Sequence, residues 1–160
     1  MKADLHNHSY YSDGVLSPSE LVEESNKAGC DLFSLTDHDT TEGIIEAQLE
    51  ANKLELTLIN GVEISAFWHN MAIHIVGLGI DINSDILQNG LEHNRRLRKV
   101  RAEKIALGLW RSGIKDALEK AQKISGGSML TRTHFAQMLI KEGYCKDMKS
   151  VFRRYLTGKK

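Results

Sequence analysis

His6 and His8 lie two residues apart near the start of the 160-residue sequence. At the end of a β-strand such residues point the same way, so the two imidazoles could hold one metal ion. They could equally be two surface histidines beside a turn, since histidine is common in both settings. Asp13, within Ser12-Asp13-Gly14, adds a carboxylate just downstream, although aspartate before glycine is ordinary turn chemistry. Asp37-His38-Asp39 is denser, with an imidazole between two carboxylates that can bind metal or orient the ring; a solvated acidic loop is the alternative. Glu63 interrupts the otherwise apolar end Ile59-Asn60-Gly61-Val62-Glu63-Ile64, and a carboxylate buried there needs a partner to offset its desolvation. A cation would serve, and a glutamate reaching two ions is how sites with metals about 3.5–4 Å apart are held together. His74, in Ile73-His74-Ile75-Val76, reads more simply as a core histidine, and His134, after Arg132-Thr133, as a surface residue. None of these residues is decisive alone.

Their positions in the chain make them informative together. Lys2–His6 reads as a strand, followed by a polar loop to Leu16. Ser17, Pro18 and Glu20 are an N-cap, a first-turn proline and the third residue of a capping box, with Gly29 as the stop of that helix. Leu32–Thr36 is a second strand, residues 37–43 a loop, Ile44–Lys53 a helix, Leu56–Ile64 a third strand and Met71–Leu78 a fourth. This alternation signals β-α units with a parallel sheet, whose reactive residues gather at the carboxyl ends of strands. His6, His8, Asp37, His38, Glu63 and His74 all fall at or beside such ends and should converge in space. After Asp81 the texture becomes helical. Ser84 is expected to cap a helix to about Arg111, Gly113 to break it, and Lys115–Ile124 to resume it. A loop at Gly126-Gly127 follows, then helices His134–Glu142, capped by Thr133, and Met148–Tyr155, capped by Asp147. The expected organisation is a β-α half over residues 1–82 and a helical insertion or cover over 83–160.

Composition bounds the rest. Lys and Arg number 21, as do Asp and Glu, so the whole-chain field favours neither nucleic acid nor membrane. The distribution is uneven, however: residues 1–65 are acid-rich, while Arg95–Lys104 and Lys146–Lys160 are basic, which makes an anionic substrate plausible. Cys30 and Cys145 have no paired spacing and no signal segment precedes the first strand, so a cytoplasmic home is expected. No apolar run approaches the roughly 20 residues that span a bilayer. Imidazole and carboxylate ligands without cysteine suit zinc, manganese or iron in a catalytic role.

Asp4-Leu5-His6-Asn7-His8, Ser12-Asp13-Gly14, Thr36-Asp37-His38-Asp39, Gly61-Val62-Glu63-Ile64-Ser65 and His74-Ile75-Val76-Gly77 together resemble the motifs of the polymerase and histidinol phosphatase (PHP) family. The helical stretch and Arg132-Thr133-His134-Phe135-Ala136 resemble its branch of nucleoside 3′,5′-bisphosphate phosphatases and 5′-to-3′ exoribonucleases acting on short RNA. The resemblance implies an α/β fold, part of a distorted (β/α)7 barrel with a helical insertion, and two or three divalent ions, Mn, Zn or Fe. It implies that His6, His8 and Glu63 hold the first ion, Glu63, His74 and His134 the second, and Asp13 with His38 the third. Members of the branch continue with an Ala-His-Pro-type segment and a late Asp-x-His motif. Neither follows here, so the sequence is expected to be a fragment, with an open sheet edge prone to association.

The expected chemistry is hydrolysis of phosphate esters of nucleotides or short 5′-phosphorylated RNA by metal-activated water. Arg132, and less directly Arg101, would clamp a phosphate; Asp39 would accept a proton from the water or orient His38. No stable protein partner and no membrane association are expected. A non-catalytic structural or RNA-binding module is one alternative. A metal-dependent amidohydrolase is another, although it would call for a carboxylated lysine or a late aspartate base.

Overall fold

The computed structural model describes residues 1–69, 71–126 and 129–156. It divides into two compact units, Met1–Arg95 and Arg96–Lys160.

In the first unit, β1 (Ala3–Asn7), β2 (Leu32–Leu35) and β3 (Thr57–Leu58) form a parallel sheet in that order. Helices α1 (Pro18–Lys27) and α2 (Ile44–Lys53) make the crossovers. Their apolar faces and the sheet bury Val22, Phe33, Leu35, Ala47, Ala51 and Leu56 as one core. The capping box that opens α1 is present: Ser17 Oγ accepts the Glu20 N–H at 3.1 Å, and the Ser17 N–H donates to Glu20 Oε2 at 2.7 Å. These bonds hold the Glu20 carboxyl below the usual range. Its contribution is therefore present above the unfolded carboxylate range and is lost as pH falls through the lowered value. Ser17→Ala is expected to cost about 1 kcal/mol of stability at neutral pH, read by urea denaturation.

The single strand expected over 56–64 is two. The chain leaves the sheet after Leu58 and re-enters as β4 (Gly61–Trp68), which pairs with β5 (Met71–Leu78) in an antiparallel hairpin. The parallel reading fails here because the link between β4 and β5 is too short for a crossover. The hairpin joins the parallel sheet through one bridge, His38 to Glu63. β5 is exposed along most of its length, with Ile73, Ile75, Val76 and Leu78 on its surface.

α3 (Asp85–Arg111) begins after Ser84 and ends two residues before Gly113, which has φ +84°. In the second unit, α4 (Ala117–Ser125), α5 (Arg132–Lys141), α6 (Met148–Val151) and a π-helical turn, Phe152–Leu156, enclose a core of Leu109, Ile114, Phe135, Met138, Leu139 and Val151. α5 starts earlier than expected and its cap is Thr131, not Thr133: the Thr131 N–H finds an acceptor in His134, three residues on. Gly126 follows α4 with φ +62°; Gly127 and the end of the basic tail, residues 157–160, lie outside the described residues. Among the described residues, no helix is long and apolar enough to cross a membrane.

Candidate metal centre

β1 delivers the first ligand through an irregularity. Its register with β2 shifts between Asp4 and Asn7, a stretch that contains His6, and such shifts re-aim a side chain. Asn7 is fastened to the end of β2 by Thr36, whose N–H donates to the Asn7 carbonyl at 3.0 Å and whose Oγ1 accepts the Asn7 N–H at 3.1 Å. His8 follows at the start of the loop. Beyond β2, the Glu63 N–H donates to the Asp37 carbonyl (3.1 Å) and the Asp39 N–H to the Glu63 carbonyl (2.9 Å), so His38 is set beside Glu63. At Gly61 a Cβ would stand 2.3 Å from Ser34 Oγ, so only glycine lets β4 enter this close to β2. In the hairpin register Ser65 lies opposite His74 and Glu63 opposite Val76, which puts Glu63 and His74 on one face.

The result is a cluster around Glu63, whose side chain is buried. Oε2 lies 2.8 Å from His6 Nε2, 2.9 Å from His8 Nε2 and 3.5 Å from His38 Nδ1; Oε1 lies 2.6 Å from His74 Nδ1. His6 Nε2 and His8 Nε2 are 3.2 Å apart. Asp13 Oδ1 is 3.9 Å from His38 Nε2 and 4.0 Å from His8 Nδ1. His8 stacks on His38 with centroids 4.5 Å apart, and His38 meets His74 edge-on at 4.8 Å. Among the described residues, three sets of ligand atoms are close enough to hold an ion: His6, His8 and Glu63; His8, Asp13 and His38; and His38, Glu63 and His74. For metal–nitrogen bonds of about 2.05 Å, neighbouring ligands of a tetrahedral ion sit about 3.3 Å apart, so the spacing of the first set fits. Burial opposes the charge on Glu63, but the His6 hydrogen bond and the nearby His38, His8 and His74 hold its carboxyl below the usual range.

Six of the residues singled out in the sequence, His6, His8, Asp13, His38, Glu63 and His74, therefore come together. Asp39 lies in a buried hydrogen-bond network beside His38. It is fully buried with φ +50°, and its Oδ1 accepts the Ser65 N–H (2.8 Å) and Asn94 Nδ2 (2.9 Å) while its carbonyl accepts Arg95 (2.9 Å). It clamps β4 and the first turns of α3 to the loop. Asp37, expected to converge with the ligands at the strand ends, is also buried and belongs to none of the three ligand sets. It accepts from Ser9 and Ser12, and burial pushes its carboxyl up against those bonds. No spacing rule would have found Ser9, Ser12 or Asn94.

His134, Arg132 and Arg101 belong to the second unit. His134 is buried, and its Nδ1 accepts the Thr131 N–H at 3.1 Å. Thr131 Oγ1 lies 3.3 Å from the same nitrogen. Arg132 is exposed at the first position of α5, and Arg101 is half-buried on α3.

An α/β fold that converges imidazoles on a shared carboxylate, without cysteine, offers groups that could hold metal, of a ligand type suited to catalytic rather than closed structural sites. The chain belongs to the PHP domain family, whose profile matches residues 4–158. It is 41% identical over 155 residues to a 3′,5′-nucleoside bisphosphate phosphatase of Chromobacterium violaceum, covering 96% of this chain and 54% of that protein. It is 42% identical over 156 residues to the 5′-3′ exoribonuclease Rnm of Escherichia coli K12, covering 96% and 53% respectively. Among solved structures it resembles an amidohydrolase from Chromobacterium violaceum with bound sulfate and no metal: TM-score 0.94, 40% identity, 100% of this chain and 57% of that one. The chain thus spans about half the length of the curated relatives it matches.

Proposed function

We propose that the protein carrying this chain is a metal-dependent phosphoesterase that hydrolyses phosphate esters of nucleotides or short 5′-phosphorylated RNA. The observation that carries the reading is Glu63, which turns one oxygen to His6 and His8 and the other to His74. A carboxylate so placed can bridge two ions. The names of the two relatives support a nucleotide or RNA substrate.

In this reading His6, His8 and Glu63 hold one divalent ion, Glu63 and His74 take part in a second, and Asp13 with His38 in a third; Mn, Zn and Fe all suit such ligands. Bound ions of this kind lower the pKa of a coordinated water from about 15.7 toward 7 and offset the charge of phosphate oxygens. Glu63 and Asp13 supply the negative charge that retains them. Arg132, and less directly Arg101, offer planar guanidinium groups to a phosphate. Asp39 holds the loop through Ser65 and Asn94 and, beside His38, would orient the ring or accept a proton from the attacking water. Residues 1–82 are read as part of a distorted (β/α)7 barrel and 83–160 as its helical insertion.

The name of the Chromobacterium structure keeps an amidohydrolase as the second reading. The assay that decides supplies Mn(II) with a 3′,5′-nucleoside bisphosphate, a 5′-phosphorylated dinucleotide and an amide panel. Release of phosphate or of mononucleotide supports the proposal. Amide turnover alone, or neither bound metal nor turnover, overturns it.

A further inference from the structure

The β4-β5 hairpin continues past the metal cluster. In its register Glu63 faces Val76, Ser65 faces His74 and Phe67 faces Ala72. Directly opposed residues share a face and side chains alternate along each strand, so these three pairs form one row on one face of the hairpin. The row starts at the carboxylate on which His6, His8, His38 and His74 converge and ends at a phenyl group. Phe67 stands one same-face step, about 7 Å, beyond the Ser65–His74 pair.

Exposure rises along the row, from 5% at Glu63 to 71% at Phe67. A single exposed apolar side chain is ordinary on a protein surface. Phe67 is set apart by its place. It shares a face with the ion-binding groups, and its cross-strand neighbour is only the methyl of Ala72, so no bulky partner covers the ring from across the pair. A nucleotide carries the same groups in the same order: a phosphate, which suits a metal cluster, then a ribose, then a base whose flat π-surface stacks on aromatic rings. One ribose spans a step of this size.

Trp68 supplies the internal contrast. It is the next residue, pairs with Met71 and so stands on the opposite face. It is 63% exposed, and its ring meets His69 edge-on at 4.7 Å.

We propose that Phe67 is a base-stacking residue of the substrate site, holding the nucleobase of the nucleotide whose phosphate lies at the Glu63 cluster. The proposal rests on the phosphoesterase reading above and adds to it a grip on the base. Because every base has a π-face, this grip detects the presence of a base and is indifferent to its identity. Losing it weakens binding and leaves the chemical step alone.

The test uses the protein carrying this chain, supplied with Mn(II), and two substrates: adenosine 3′,5′-bisphosphate, and ribose 3,5-bisphosphate, which has the same phosphates and no base. Phe67→Ala should raise KM for the first by about 5- to 150-fold with kcat unchanged, and leave both constants for the second at wild-type values. Phe67→Tyr, which keeps a ring, and Trp68→Ala, on the other face, should behave as wild type on both. A second readout needs no metal: NMR of the metal-free protein with millimolar adenosine should show nuclear Overhauser contacts from adenine to a phenyl ring that vanish in Phe67→Ala. Equal losses on the two substrates in Phe67→Ala, no loss on either, or the same loss in Trp68→Ala or Phe67→Tyr overturns the proposal. A wild type that turns over neither substrate overturns the phosphoesterase reading. The adenine contact then judges Phe67 separately, supporting the stacking role if present and overturning it if absent.

Discussion

Gly14→Ala is expected to weaken Mn(II) binding by more than about 100-fold, beyond what loss of an outer hydrogen bond costs a metal site. A Cβ at this position would stand 1.9 Å from the His8 carbonyl oxygen and 2.5 Å from its carbon. Both atoms are backbone, so no side-chain rotation relieves the contact and the segment itself has to move. That segment carries His8 and Asp13, and its hydrogen bonds from Ser9 and Ser12 to Asp37 depend on its present course. Overpacking of this kind costs about 1–3 kcal/mol of stability, so denaturation should show a destabilised but folded chain with a lost metal site. Gly29→Ala supplies the contrast. Gly29 has φ +75° and nothing within 4 Å of the added carbon. Its substitution should cost about 1–2 kcal/mol through the left-handed conformation alone and leave Mn(II) affinity at the wild-type value. Mn(II) binding by Gly14→Ala at wild-type strength would show that the loop absorbs the clash without moving its ligands.

The contrast between these glycines also marks what could be read without a structure. Helix starts depend on local chemistry, so Ser17, Pro18 and Glu20 announced α1, and the polar loop before Ile44 announced α2. Five of the six clustered candidates were legible because strand ends in a β-α sequence fall on one rim, even though His74 reaches the cluster from the middle of an antiparallel strand; Asp37, expected with them, turns instead to Ser9 and Ser12, and Asp13 joins from a loop. Apolar alternation in 61–68 and 71–78 is the same for parallel and antiparallel partners, so only the short link between the strands carried the pairing direction. The buried polar network escaped for a related reason. Serines at positions 9 and 12 look like loop solvent contacts until Asp37 is seen to lie beneath them. The sequence showed Asp39 only as the neighbour of His38; its left-handed backbone and its bonds to Ser65 and Asn94 appear only in the fold. Such assignments depend on three-dimensional partners separated by 25 to 55 residues, a range at which spacing carries no information.

Glu63→Gln separates a bridging ligand from an ordinary buried anion. Glutamine keeps the shape of the side chain but has one acceptor oxygen and an NH2 group in place of the second. The wild-type oxygens face different imidazoles, Oε2 toward His6 and His8 and Oε1 toward His74. Whichever orientation the amide adopts, one ligand set loses its oxygen and both lose the charge. The expected outcome is a lower metal-to-protein ratio by elemental analysis, with the remaining affinity reduced more than about 100-fold. If Glu63 served only to neutralise histidines, the ratio would stay at the wild-type value and stability alone would change. The metal-free protein offers a second readout through pH. The folded-state carboxyl of Glu63 is held below its unfolded value of about 4.3. Its stabilising contribution is therefore complete above that value and is lost as pH falls through the lowered one. Wild-type stability should carry this acid-side decline, and the Glu63→Gln profile should lack it, because the amide has no proton to gain. A variant with the same acid-side slope as the wild type would mean that the decline belongs to other carboxylates and that Glu63 is not the anion around which the histidines gather.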